Sequence, residues 1–134
     1  MAATDILAVL HNMRTTEYYL EAEMLRRKKG ATAMVCAPAD SEDHAAIRCL
    51  LGTWEMIAAI TLPLAEAQRK RVFEVMPILH MYTELEDAIK ILREKDPDYA
   101  TKFERLMNEQ DFWLKTDGLS YRSGHVGGVH AYFG

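Results

Sequence analysis

The chain has 134 residues, 49% of them hydrophobic and 27% charged, with a formal net charge of −4 and an isoelectric point near 5.7. That length suits one domain able to bury roughly two thirds of its unfolded surface, and the composition excludes wholesale disorder. The acidic balance excludes nucleic-acid binding through the whole surface, since phosphates need a concentrated positive field.

The opening stretch MAATDILAVLHNMR has no basic leader and meets polar residues too early for a signal peptide. Over "TDILAVLHNMRTTEYYLEAEMLRRKKG", Ile6, Leu10, Met13, Leu20 and Met24 recur at helical steps. Thr4 or Asp5 suits the cap before this helix, and Gly30 suits the residue just past its end. Thr15-Thr16 interrupts the pattern, so two helices of about 5–14 and 16–29 are expected. "GATAMVCAPADS", with Gly30, Pro38 and small residues, reads as a connector.

Ser41 stands as an N-cap before "EDHAAIRCLLGTWEMIAAI", whose first acids favour the positive end of a helix dipole. This segment, about 43–60, is apolar on most faces and is expected at the centre of the domain. Trp54 belongs to the core, with its indole N–H directed at a carbonyl. The longest apolar run, 56–64, is half a membrane span and contains Pro63, so no membrane partner is expected. A helix follows Pro63 and ends or bends at Pro77. Ile78, Met81, Tyr82, Leu85, Ala88, Ile89 and Leu92 then mark one stripe of a helix running to about 94. Asp96-Pro97 predicts a restart, a capping acid with proline at the first helical position. Tyr99, Phe103, Leu106, Gln110 and Trp113 mark one face of that last helix, which Gly118 closes.

Catalytic material is sparse. The three serines lie in no nucleophile elbow, Cys49 sits in an apolar run, and Cys36 has no neighbouring base in sequence. The two thiols have no disulfide-framework spacing, which predicts a reducing, cytoplasmic location. His80 and Glu84 stand four apart on a helix, but His80 projects away from the apolar stripe and the chain contains no Glu-x-x-His. No metal, cofactor or catalytic residue is therefore expected. "RRKK" at 26–29 and "RKR" at 69–71 read as helix-end or surface charges without an RNA-binding signature, so nucleic acid is not an expected partner.

Two features carry functional expectations. Arg48 and Glu55 are charges on the otherwise apolar central helix, and such charges must be paired or line a polar opening. With Trp54 they form the candidate ligand pocket, which Gly52 would widen by lacking a side chain. The second feature is the segment 118–134, an arm holding five of the seven glycines and no acid. Its glycines have no following helix to receive a phosphate, and its histidines lack further ligands. Tyr121, Val126, Val129, Tyr132 and Phe133 instead suggest an extended segment that docks on a surface, in its own domain or a partner.

"ILAVLHNMRTTEYYLEAEMLRRK", "LLGTWEMIAAI" and "VFEVMPILHMYTELEDAIKILREKDPDYATKFERLM" resemble an uncharacterised bacterial family of small helical domains of unknown function. The likeness covers residues 5–107 and rests on an opening helical pair, on Trp54-Glu55, and on Arg93, Pro97, Tyr99 and Phe103. It implies an all-helical fold and brings no activity.

The expected architecture is all-α: five or six helices packed around 43–60 as one domain over 1–117, with the Gly/aromatic arm 118–134. The leading functional expectation is a non-enzymatic protein-interaction module, self-associating as a homodimer or binding a protein partner, of a regulatory or inhibitory kind. The alternative is a helical small-ligand-binding domain with the pocket at Arg48, Trp54 and Glu55.

Overall fold

The computed structural model of the chain describes residues 3–117. Among them are seven helices and no strand: α1 Ala3–Met13, α2 Glu17–Lys29, α3 Ala31–Cys36, α4 Glu42–Thr61, α5 Glu66–Val75, α6 Ile78–Arg93 and α7 Thr101–Lys115. The all-α expectation is met, with one helix more than expected. The addition is α3, inside the stretch read as a connector. Its six residues are too few to show a helical period, and packing rather than propensity holds it: Ala31, Met34 and Val35 are buried where α3 meets α4 and α6.

The break at Thr15-Thr16 is present, and Thr16 caps α2 by accepting a hydrogen bond from the Tyr19 N–H at 3.2 Å. α1 begins at Ala3, so Thr4 and Asp5 lie inside its first turn rather than ahead of it. The break also resets the phase of α2. Leu20 and Met24, expected to continue the apolar stripe, face solvent, with Met24 71% exposed. The inward face carries Tyr19, Ala22, Glu23 and Arg26. Gly30 ends the helix at φ +90°, its N–H returning to the Arg26 carbonyl at 2.8 Å.

α4 occupies the centre, packed against α2, α3 and α7. Ser41 caps it as expected, accepting from the His44 N–H at 3.2 Å. Ala46, Ile47, Leu50, Leu51, Trp54, Ile57, Ala58 and Thr61 form one buried stripe at helical spacing. Ala45, Arg48, Gly52 and Met56 form the opposite, exposed line. Trp54 is fully buried, stacked on Phe103 at 5.6 Å, and Phe103 meets Tyr82 edge-on at 5.1 Å. The indole N–H donates to the Tyr19 hydroxyl at 3.0 Å rather than to a carbonyl.

Pro77 separates α5 from α6 and creates a hydrogen-bond deficit, because the Phe73 carbonyl would ordinarily accept from the N–H of residue 77. Gln110 of α7 supplies the missing donor. Its Nε2 donates to Phe73 O at 3.1 Å and Met76 O at 2.7 Å, while its Oε1 accepts from the Leu79 N–H at 2.7 Å. The side chain is fully buried, as its place on the α7 stripe predicts.

Asp96-Pro97 begins a turn rather than α7, which starts four residues later at Thr101. Arg93 pins that turn: its Nε donates to the Tyr99 carbonyl at 2.8 Å and its guanidinium pairs with Glu104 at 2.8 Å. The chain then passes through Ala100 at φ 61°, a left-handed conformation costing a non-glycine residue about 1–2 kcal/mol.

Candidate functional site

Arg48, Trp54 and Glu55 have three different surroundings. The Arg48 guanidinium lies 4.9 Å from the centre of the Tyr99 ring and lines a cleft of about 360 Å³ with His44, Leu92 and Lys95. The His44 ring meets the Val35 carbonyl at 3.1 Å. Burial pushes the Tyr99 phenol above its ordinary 10.0, and the Arg48 charge offsets part of that. Trp54 lies in the core beneath other helices. Glu55 reaches across to α7, where Oε1 accepts from the Phe103 N–H at 2.8 Å and Oε2 from the Lys102 N–H at 3.4 Å. It is a helix cap supplied from another helix, at a terminus whose own cap residue, Ala100, has no side-chain acceptor. Gly52 faces solvent, where an added Cβ would meet nothing within 4 Å.

A second concavity lies between α5 and α7. This groove of about 360 Å³ has Phe73, Phe112 and Trp113 as its apolar lining. Phe73 and Trp113 are buried and meet at 5.9 Å, whereas Phe112 is 69% exposed. The polar rim is largely self-neutralised. Arg69 pairs with Glu109 at 3.3 Å, and Lys70 pairs with Asp117 at 3.2 Å and Glu66 at 3.5 Å. The Asp117 hydrogen bond and charge, then the Glu66 charge, hold the Lys70 ammonium above its ordinary 10.5. Three acids and two bases line the groove, which leaves a small negative surplus. The "RKR" basic cluster therefore faces α7 in part and is not simply a solvated face.

Asp117, at the groove's end, is the last described residue. The docking candidates Tyr121, Val126, Val129, Tyr132 and Phe133 lie outside the described residues.

Sequence reasoning also missed Arg26 of "RRKK", which is buried beside Glu23 and bridges α2 to Glu84 of α6 at 3.1 Å. The available signal was the Glu23-x-x-Arg26 spacing on a helix whose apolar residues fail to form a stripe long enough to bury it. Among the described residues no group of three or more His, Cys, Asp or Glu side chains is placed to hold a metal ion. No helix of the described residues is long and apolar enough to cross a membrane.

These features define an all-α bundle with a central helix and an open aromatic groove between α5 and α7. No family model matches the chain, and no curated protein or solved structure is significantly similar to it.

Proposed function

We propose that the protein is a non-enzymatic helical interaction module that self-associates by seating residues 118–134 of one copy in the α5–α7 groove of a second. The observation that carries this reading is the groove itself: Phe112 stands 69% exposed above Phe73 and Trp113. Large exposed aromatics beside a concave apolar floor are characteristic of docking surfaces. The proposed occupant is matched in chemistry. Its only formally charged side chain is Arg122, which complements the acid surplus of the rim, and Tyr121, Val126, Val129, Tyr132 and Phe133 supply apolar anchors. It starts at Gly118, directly after a residue of the groove, so seventeen residues are available at up to about 3.3 Å each when extended. The free thiols of exposed Cys36 and half-buried Cys49 fit a reducing compartment, and the cytoplasm is the location we assign.

Light scattering on the full chain, on a chain ending at Asp117, and on Phe112→Glu tests the reading. A dimer mass for the full chain and monomer masses for both variants are expected. Titrating a peptide of residues 118–134 into the truncated chain should change Trp113 emission, since Trp54 is buried away from the groove. A full chain that stays monomeric at high concentration, or a dimer that survives both changes, would overturn it.

A further inference from the structure

The inward face of α2 violates the ordinary rule for an amphipathic helix: Leu20 and Met24 face water while Glu23 and Arg26 are 8% and 9% exposed. Burying two charges costs several kcal/mol per ion before pairing, and hydrophobic side chains of similar size are often as good or better for stability. Local violations of this kind concentrate at functional sites. Here the violation forms one wall of a pocket of about 310 Å³ beneath α2, closed on the α6 side by Pro77, His80, Met81 and Glu84.

Three guanidiniums line the pocket, from Arg14, Arg26 and Arg27, against two carboxylates, from Glu23 and Glu84. Glu23 Oε1 takes the Arg26 fork, with the Nε at 2.7 Å, and Arg27 stands 3.5 Å from the same oxygen. Arg26 spends its remaining nitrogen on Glu84 at 3.1 Å, and His80 lies 4.0 Å from the other Glu84 oxygen. Two buried atoms of the residues lining this pocket have no hydrogen-bond partner: the acceptor Glu23 Oε2 and the donor Arg14 Nε. Arg14 is nevertheless held in place, with its guanidinium 5.1 Å from the Trp54 ring centre and against the Tyr19 hydroxyl.

We infer that this pocket binds a small carboxylate that carries a hydroxyl or amino group beside its carboxyl. The carboxylate accepts from Arg14, and the neighbouring O–H or N–H donates to Glu23 Oε2, which satisfies both orphaned atoms at once. The charge count decides between anions. One surplus guanidinium matches the single carboxylate, and the ammonium of an amino acid would face Glu23, whereas a phosphate monoester carries roughly −1.5 to −2 and would face Glu23 and Glu84 with charge in excess. The volume lies at the small end of ligand sites, which fits a molecule the size of a hydroxy acid or an amino acid.

The test is calorimetry and thermal shift on the full chain with glycolate, lactate, glycine and serine as probes. Acetate, which lacks the donor, and inorganic phosphate are the comparators. Saturable binding of at least one of the four probes is expected, with acetate at least about tenfold weaker. Glu23→Gln should weaken that binding about ten- to a hundredfold, the worth of one charge-assisted hydrogen bond. Because Glu23 also pairs with Arg26, Arg14→Met serves as a second variant, with circular dichroism confirming that each is folded. Absence of saturable binding to wild-type protein by all four probes would overturn the assignment. So would acetate or phosphate binding as tightly as the best of them, or full affinity retained in folded Arg14→Met.

Discussion

Replacing Gln110 by methionine tests whether the α5–α6 joint depends on a side chain from α7. Methionine is unbranched and of similar volume, so the change removes hydrogen bonds with little change in packing. Three are lost: Leu79 N–H loses its acceptor, and Phe73 O and Met76 O lose a donor. The consequences are unequal. Met76 O keeps the Ile78 N–H at 2.9 Å, whereas the Phe73 carbonyl faces a proline where its helical donor should be. Leaving Leu79 N–H and Phe73 O unpaired at about 1–2 kcal/mol each, less about 1 kcal/mol returned by the more apolar side chain, gives a net loss of about 1–3 kcal/mol. In a domain of this size that lowers Tm by about 4–10 °C. Urea denaturation with an unchanged m-value gives the free energy, and hydrogen exchange at Leu79 locates it. A loss below about 0.5 kcal/mol, or a Leu79 amide exchanging as slowly as in wild type, would show the joint to be held by packing alone.

Glu55→Ala should cost about 1–2 kcal/mol by uncapping α7, and Glu55→Gln roughly half as much, because it keeps the acceptor and loses the charge at the helix dipole. If Glu55→Ala costs no more than Glu74→Ala at an exposed site, the cap contributes nothing. Burial raises Cys49 above 9.0 and Tyr19, Tyr82 and Tyr99 above 10.0, so the folded state favours their neutral forms. The unfolded chain loses these protons first. Stability from the four groups is therefore complete below about pH 9 and is lost as pH rises through their folded values. Urea midpoints should fall as pH rises above about 9 and on past 10, and a flat profile would rule the effect out.

What could be read in advance follows the reach of each interaction. The α4 stripe, the Ser41 and Thr16 caps, and the Gly30 stop are set by residues within a turn or two of each other, and the sequence displays them directly. The face of α2 was misread because a period carried across Thr15-Thr16 no longer has a phase once the chain bends there. α3 escaped because six residues hold less than two helical periods. Asp96-Pro97 has the chemistry of a helix start, yet Arg93 holds the Tyr99 carbonyl and postpones α7 to Thr101. As for the site residues, Glu55 was recognisable as a charge in need of a partner, but its partners are backbone N–H groups 47 and 48 positions away. No local pattern encodes such a pairing. The pocket beneath α2 is assembled from the break between α1 and α2, from α2 and from α6 in the same long-range way.

The cap on α7 also has a temporal side. A helix whose start signal sits in another helix has no nucleus of its own, and forming the first turn is the costly step in helix growth. α4 precedes α7 in the chain, so Glu55 is synthesised before the residues it caps. A fragment beginning at Asp96 would lack it and should be mostly coil. In the whole chain, α7 should form by adding to the surface that carries Glu55.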